Sequence, residues 1–167
     1  MVSENGGSKM TVSGVYFIAI GTQNREPVFG EIVEGQVQLN VYGEMVVKCW
    51  DAIPSHFSTV LLDSFMVMPN RVHGILLVAN GKTNNGPLLH LPLGVIVGSF
   101  KSAATRRVNE IRKTPGQLLW QPSYHERAIR TEVELLKMRQ YLQENPMKLG
   151  AEHMDPFAML EGFLHES

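Results

Sequence analysis

Apolar positions along this chain follow two rhythms, and each rhythm predicts an element. Gly14 to Thr22 (GVYFIAIGT) is a run of β-branched and aromatic residues and reads as a buried strand. Gln23 to Pro27 is a polar turn, and Phe29 to Leu39 breaks at Glu34-Gly35 like a small hairpin. Asn40 caps a helix running to about Ala52, with Val41, Met45, Val46 and Cys49 at helical spacing, and Pro54 closes it. Phe57 to Met68 reads as a strand interrupted at Asp63-Ser64. Pro69-Asn70 then makes a turn or bulge, and Val72 to Val78 is a second strongly apolar strand. Residues 79–92 hold Asn80-Gly81 and Asn84-Asn85-Gly86-Pro87 and read as a surface loop.

The rhythm changes again further on. Between Gly94 and Arg112, Val97, Phe100, Ala104, Val108 and Ile111 recur at spacings of three and four, the stripe of an amphipathic helix. Thr114-Pro115-Gly116 ends that helix, and Trp120 to Arg130 is a short extended segment. Thr131 and Glu134 form a capping box that opens a last helix to Asn145, stopped by Pro146. Its stripe is Leu135, Met138 and Leu142, with Tyr141 and Asn145 on the flank. Strands with helices inserted, without strict alternation, predict an α+β fold: a ferredoxin-like antiparallel sheet with helices packed on it. The expected organisation is a flexible N-terminal tail over 1–12, one domain over 13–149 and a C-terminal tail over 150–167.

Composition adds limits. The 167 residues are 44% hydrophobic, enough for a core, yet no run of about 18 apolar residues implies a membrane span. The polar, glycine-rich N-terminus lacks the apolar segment of a secretory signal. Cys49 stands alone, which excludes an intramolecular disulfide and suits a reducing cytoplasm. Net charge is −1, which argues against a uniformly basic nucleic-acid surface. The charge is uneven, however. Residues 101–140 carry nine Lys/Arg against four Asp/Glu, a net of +5, while the rest of the chain carries six against twelve, a net of −6. One basic face on an acidic body suits a phosphate backbone and equally a solvated helix face.

Three stretches carry candidate chemistry. In Met68-Pro69-Asn70-Arg71-Val72-His73-Gly74, the strand period places Arg71 and His73 on one face, a polar pair inside an apolar strand. Such a pair is either well partnered or at a wet site. Leu119-Trp120-Gln121-Pro122-Ser123-Tyr124-His125-Glu126 sets Trp120 and Tyr124 just before Arg127 and Arg130, a combination that serves base stacking and phosphate contact or plain edge packing. Tyr141 and Asn145 stand one helical turn apart near the end of the last helix.

Taken together and in order, Met-Pro-Asn-x-φ-His-Gly, the helix bearing Gly98-Ser99-Phe100-Lys101-Ser102, Leu-Trp-Gln-x-Ser-Tyr and Tyr-x-x-x-Asn-Pro resemble the REP-associated tyrosine transposases of the HUH single-strand nuclease group. Thr22-Gln23-Asn24-Arg25 and Phe29 to Val33 also look like that family's first strand and turn, so the resemblance spans roughly Val15 to Leu149. It implies the ferredoxin-like sheet and a partner in single-stranded or hairpin DNA, engaged by a monomer or homodimer. It also implies nicking and strand transfer through a 5′-phosphotyrosine. Carried over, Tyr141 is the nucleophile, and His73 and Asn145 are ligands of Mg²⁺ or Mn²⁺. The family's ion polarises the scissile phosphate. DNA contacts fall to Arg71, Lys101, Arg106, Arg107, Trp120, Tyr124, Arg127 and Arg130. One departure stands out: the family has histidine where this chain has Arg71. A guanidinium offers no lone pair to a metal and adds positive charge at the site. Metal affinity and cleavage are therefore expected to be strongly reduced, and the alternative function is a catalytically inactive DNA-binding protein on the same fold.

Overall fold

The computed structural model describes residues 10–81 and 92–144. The chain runs through β1 (Met10–Gly21), a 3-10 turn (Gln23–Arg25), β2 (Gly30–Val33), β3 (Gln36–Leu39), α1 (Val41–Asp51) and α2 (Ile53–His56). It continues through β4 (Val60–Met68), β5 (Arg71–Gly81), α3 (Leu93–Arg112), β6 (His125–Ile129) and α4 (Glu132–Glu144). Four strands form an antiparallel sheet in the order β4-β5-β1-β6, and β2 pairs with β3 as a separate hairpin. With the hairpin set aside, the sequence β1-α1-β4-β5-α3-β6 in that sheet order is the ferredoxin-like arrangement, so the α+β expectation holds. The last helix, α4, is an addition on the opposite face.

Strand alternation sorts the core into two layers. Ile18 and Ile20 of β1, with Val72, Leu76 and Val78 of β5, point toward α1 and α3 and meet Trp50, Ile96, Phe100 and Ala104. Trp50 lies parallel to Phe65, 4.2 Å between ring centres, and Phe100 closes on both edge-on. Gly74 is required beneath this stack, because a Cβ there would sit 2.6 Å from the Trp50 ring. The other layer alternates with the first. Val15, Phe17 and Ala19 of β1, Ile75 of β5 and Ile129 of β6 meet Leu135, Met138, Tyr141 and Leu142 of α4.

Most predicted elements stand where the sequence reading placed them. Asn40 caps α1, its Oδ1 accepting from the Tyr42 and Gly43 N–H groups at 2.9 and 3.0 Å. The Asp63-Ser64 interruption is a bulge, where the β4–β5 register shifts between Leu62 and Phe65. Three boundaries are corrected. β1 begins at Met10, so residues 10–12 belong to the sheet and not to the N-terminal tail, drawn in by pairing with 79–81 of β5. β5 likewise extends to Gly81, beyond the expected start of the 79–92 loop. Pro54 does not simply end a helix; it sits in the first turn of α2, where a missing N–H costs nothing. The rest of that loop, residues 82–91, and the expected C-terminal tail lie outside the described residues.

Candidate active site

The site starts from the capping of α4. Thr131 Oγ1 accepts from the Glu134 N–H (3.1 Å), and Glu134 Oε2 accepts from the Arg130 N–H (3.0 Å). The box closes as expected, one residue further back than the usual reciprocal bond. This fixes the helix start and aims its stripe at the sheet. A second fastening lies near the other end, where the Arg139 guanidinium grips the Asp63 carboxylate with two bonds, Nε to Oδ1 at 2.9 Å and Nη2 to Oδ2. Asp63 Oδ1 also accepts from the Ser64 N–H at 2.7 Å. Arg139 and the Ser64 donors hold the Asp63 carboxyl below the usual carboxylate range against the opposing effect of burial. The β4 bulge thus presents an acid to α4, and α4 answers with a bidentate cation.

Just beyond the second fastening, Tyr141 meets His73. Their rings lie nearly parallel, 23° apart, with centres 6.0 Å from each other. Phe17 stands edge-on to both, at 5.6 Å from His73 and 6.4 Å from Tyr141. Tyr141 is 4% exposed and His73 is 0% exposed. Tyr141 is therefore not on a flank: the face of α4 that covers the sheet is wider than Leu135, Met138 and Leu142, and Tyr141 belongs to it. Burial drives the His73 pKa down to about 3, with the charges of Arg71 and then Arg25 acting in the same direction. His73 is consequently a neutral imidazole near neutral pH.

Arg71 opens β5, opposite Gly21 of β1 and Met68 of β4, and only 8% of it is exposed. Its Nη1 donates to Asn70 Oδ1 at 3.0 Å. The structure thus brings Arg71, His73 and Tyr141 to one face at one end of the sheet. Asn145 lies outside the described residues. For Mg²⁺ or Mn²⁺ the fit is poor. His73 has a lone pair to offer, Arg71 has none, and among the described residues no group of three or more His, Cys, Asp or Glu side chains could hold a metal ion.

The expected DNA contacts separate. Lys101, Arg106 and Arg107 sit on α3, across the sheet from Tyr141, with Arg106 and Arg107 exposed and Lys101 partly buried. Trp120 is corrected from a stacking platform to a core residue: it is 6% exposed, packs on Phe29 and Phe100, and its Nε1 donates to the Lys101 carbonyl at 3.1 Å. An indole can stack on a base only when its face is free. Tyr124 is half-buried, with its hydroxyl 3.4 Å from Glu126 Oε1; burial and the neighbouring acid raise its pKa. Arg127 lies on the edge strand β6, opposite Phe17, and Arg130 is exposed just after it. Two participants were missed by the sequence reading. Arg25 lies close enough to influence His73, and the Asp63–Arg139 pair joins residues 76 positions apart. Only the bulge signal at Asp63-Ser64 hinted at the second.

No protein-family model matches the chain. A protein of Haemophilus influenzae, described as uncharacterized, is 38% identical over 150 residues, which cover 80% of this chain and 81% of that one. Among solved structures, the REP-associated tyrosine transposase bound to a REP hairpin superposes with a TM-score of 0.60 at 16% identity, covering 89% of this chain and 75% of that one. A candidate transposase from Deinococcus radiodurans superposes with a TM-score of 0.52 at 20% identity, covering 86% and 97%.

Proposed function

The chain belongs to one family with the Haemophilus influenzae protein and has the fold of the REP-associated tyrosine transposase, and from that premise we propose that it binds single-stranded or hairpin DNA while Tyr141-dependent cleavage is lost or strongly reduced. The observation that carries this reading is the pairing of Tyr141 with His73 beside Arg71, all three buried. The neighbour's REP hairpin supports DNA as the partner, as does the basic balance of residues 101–140.

Cleavage on this arrangement would need Tyr141 Oη to attack the scissile phosphorus as the P–O3′ bond breaks. The tyrosine would become a 5′-phosphotyrosine, and the departing 3′ oxygen would take up a proton. Two features oppose it. Tyr141 is packed against the sheet with 4% of its surface exposed, which leaves a phosphodiester little access while α4 stays docked. Arg71 puts a fixed charge where the resembled family has a neutral histidine, and a guanidinium has no lone pair for a divalent ion. One observation favours retained nicking as a second reading: Tyr141 and His73 are adjacent, the arrangement a tyrosine nucleophile beside a ligand histidine would need.

The test uses hairpin-bearing DNA with a single-stranded flank, with and without Mn²⁺. The expected result is a salt-dependent mobility shift with no covalent adduct from the parent, and a Tyr141-dependent adduct from Arg71→His that Tyr141→Phe removes. Absence of any DNA binding would sink the proposal, and an adduct from the parent would replace it with the second reading.

A further inference from the structure

A groove of about 810 Å³ runs between the C-terminal half of α3 and the segment 113–122. Its size falls in the range of small-ligand sites, about 300–1,000 Å³. Its walls are set by internal bonds. Asn109, buried in the floor, donates from Nδ2 to the Gln117 carbonyl at 2.8 Å. Its Oδ1 accepts from Arg112 Nε at 2.8 Å and from Thr114 Oγ1 at 3.2 Å. At the other end Lys101 Nζ donates to the Gln121 carbonyl at 3.0 Å. The segment is therefore tied along its length to the helix, and the groove is preformed.

The lining is apolar at the bottom and cationic at the rim. Leu119 and Trp120 form part of the floor, and Leu118 stands 67% exposed beside it. Lys101, Arg106 and Lys113 surround it against a single acid, Glu110. An apolar trough ringed by net positive charge, with the amides of Gln117 and Gln121 at its edge, matches a nucleobase carried on a phosphate chain.

Its position also fits. Gly21 pairs with Arg71 on one side, and its carbonyl accepts from the Gln121 N–H at 2.9 Å on the other. Thr22 likewise bridges Trp120 and bonds its N–H to the Asn70 carbonyl at 3.0 Å. The Arg71 end of the sheet and the mouth of the groove are thus joined through two residues of β1 and its turn.

Resting on the DNA-binding reading above, we propose that this groove holds an unpaired nucleotide of the bound strand, with its base against the exposed Leu118 and its phosphate on Arg106 and Lys113. The assignment is tested by fluorescence anisotropy with two labelled DNAs, a blunt hairpin and the same hairpin with a single-stranded flank. The substitutions are Leu118→Asp and Arg106→Glu; both residues are exposed, and thermal melting checks that the variants remain folded. Each variant is expected to weaken binding of the flanked hairpin by about fivefold or more, the scale of losing one apolar or one phosphate contact. Binding of the blunt hairpin should change far less with Leu118→Asp. Arg106→Glu should in addition lower the salt slope by about 1. A parent that binds flanked DNA together with variants that match it overturns the groove assignment alone. A parent that binds no DNA overturns both this assignment and the function it rests on. Loss of affinity for both DNAs alike with Leu118→Asp also overturns it, since the groove would then not discriminate an unpaired nucleotide.

Discussion

The two faces of the sheet are built on different terms. The face under α1 and α3 is mainly apolar, with Trp50, Phe65 and Phe100 interlocked over Gly74, and the buried polar side chains beside it, Thr22 and Asn109, are uncharged and hydrogen-bonded. The face under α4 uses the same alternation on the same strands, yet it buries a histidine, an arginine and a tyrosine among its apolar residues. Burying polar groups costs free energy that Leu or Val would not. The first face is explained by apolar packing and by neutral hydrogen bonds at its edges. The second holds groups that packing does not ask for, fastened by an ion pair between α4 and the β4 bulge instead of by a wider apolar contact. The difference places the candidate chemistry on the α4 face.

The comparison can be broken most directly on the apolar side. Trp50→Ala is expected to lower stability by about 3–5 kcal/mol, because it removes a ring that two other aromatics contact and leaves a cavity under Gly74. Denaturant unfolding measures it; a loss below about 1 kcal/mol would mean that this face is not the main source of stability.

The next effect belongs to His73. Its folded pKa, about 3, lies below the ordinary value of 6.5. Between those values the unfolded chain binds a proton that the folded chain refuses, so stability rises with pH across that window and is lost as pH falls below about 6.5. The slope approaches about 1.4 kcal/mol per pH unit in the middle of the window. His73→Phe should flatten this dependence relative to the parent while keeping a ring against Tyr141. Identical pH profiles for parent and variant would show that His73 is free to take up its proton in the folded chain.

The smallest effect is at the fastening. Arg139→Gln should reduce stability by only about 1 kcal/mol, because the Arg139 side chain is substantially exposed and solvent screens the pair. It should nevertheless speed amide exchange in α4 well above that in α1, since the pair holds one helix and not the whole sheet. Equal exchange in parent and variant would mean that apolar contacts alone dock α4, and that the lifting needed to uncover Tyr141 is not set by Asp63.

The sequence by itself determined much of this protein. Period-two and period-3.6 patterns are local consequences of side-chain geometry, so the strands around Phe17 and Ile75 and the helices from Asn40, Gly94 and Thr131 could be placed without coordinates. The same period put Arg71 and His73 on one face. The Asn40 cap, the Thr131–Glu134 box and the Asp63-Ser64 interruption were readable because each depends on residues close in the chain. Which face of the sheet a residue shares, and with what, depends on contacts between segments far apart, and these only the tertiary structure decided. It put Tyr141 under cover against His73, turned Trp120 inward onto Phe29, and joined Asp63 to Arg139 across 76 positions. It also divided the expected DNA contacts between opposite faces and shaped a groove beside α3 that no motif announced. The reason is physical: periodicity states that a side chain is buried or exposed, while its partner is chosen by how the layers stack.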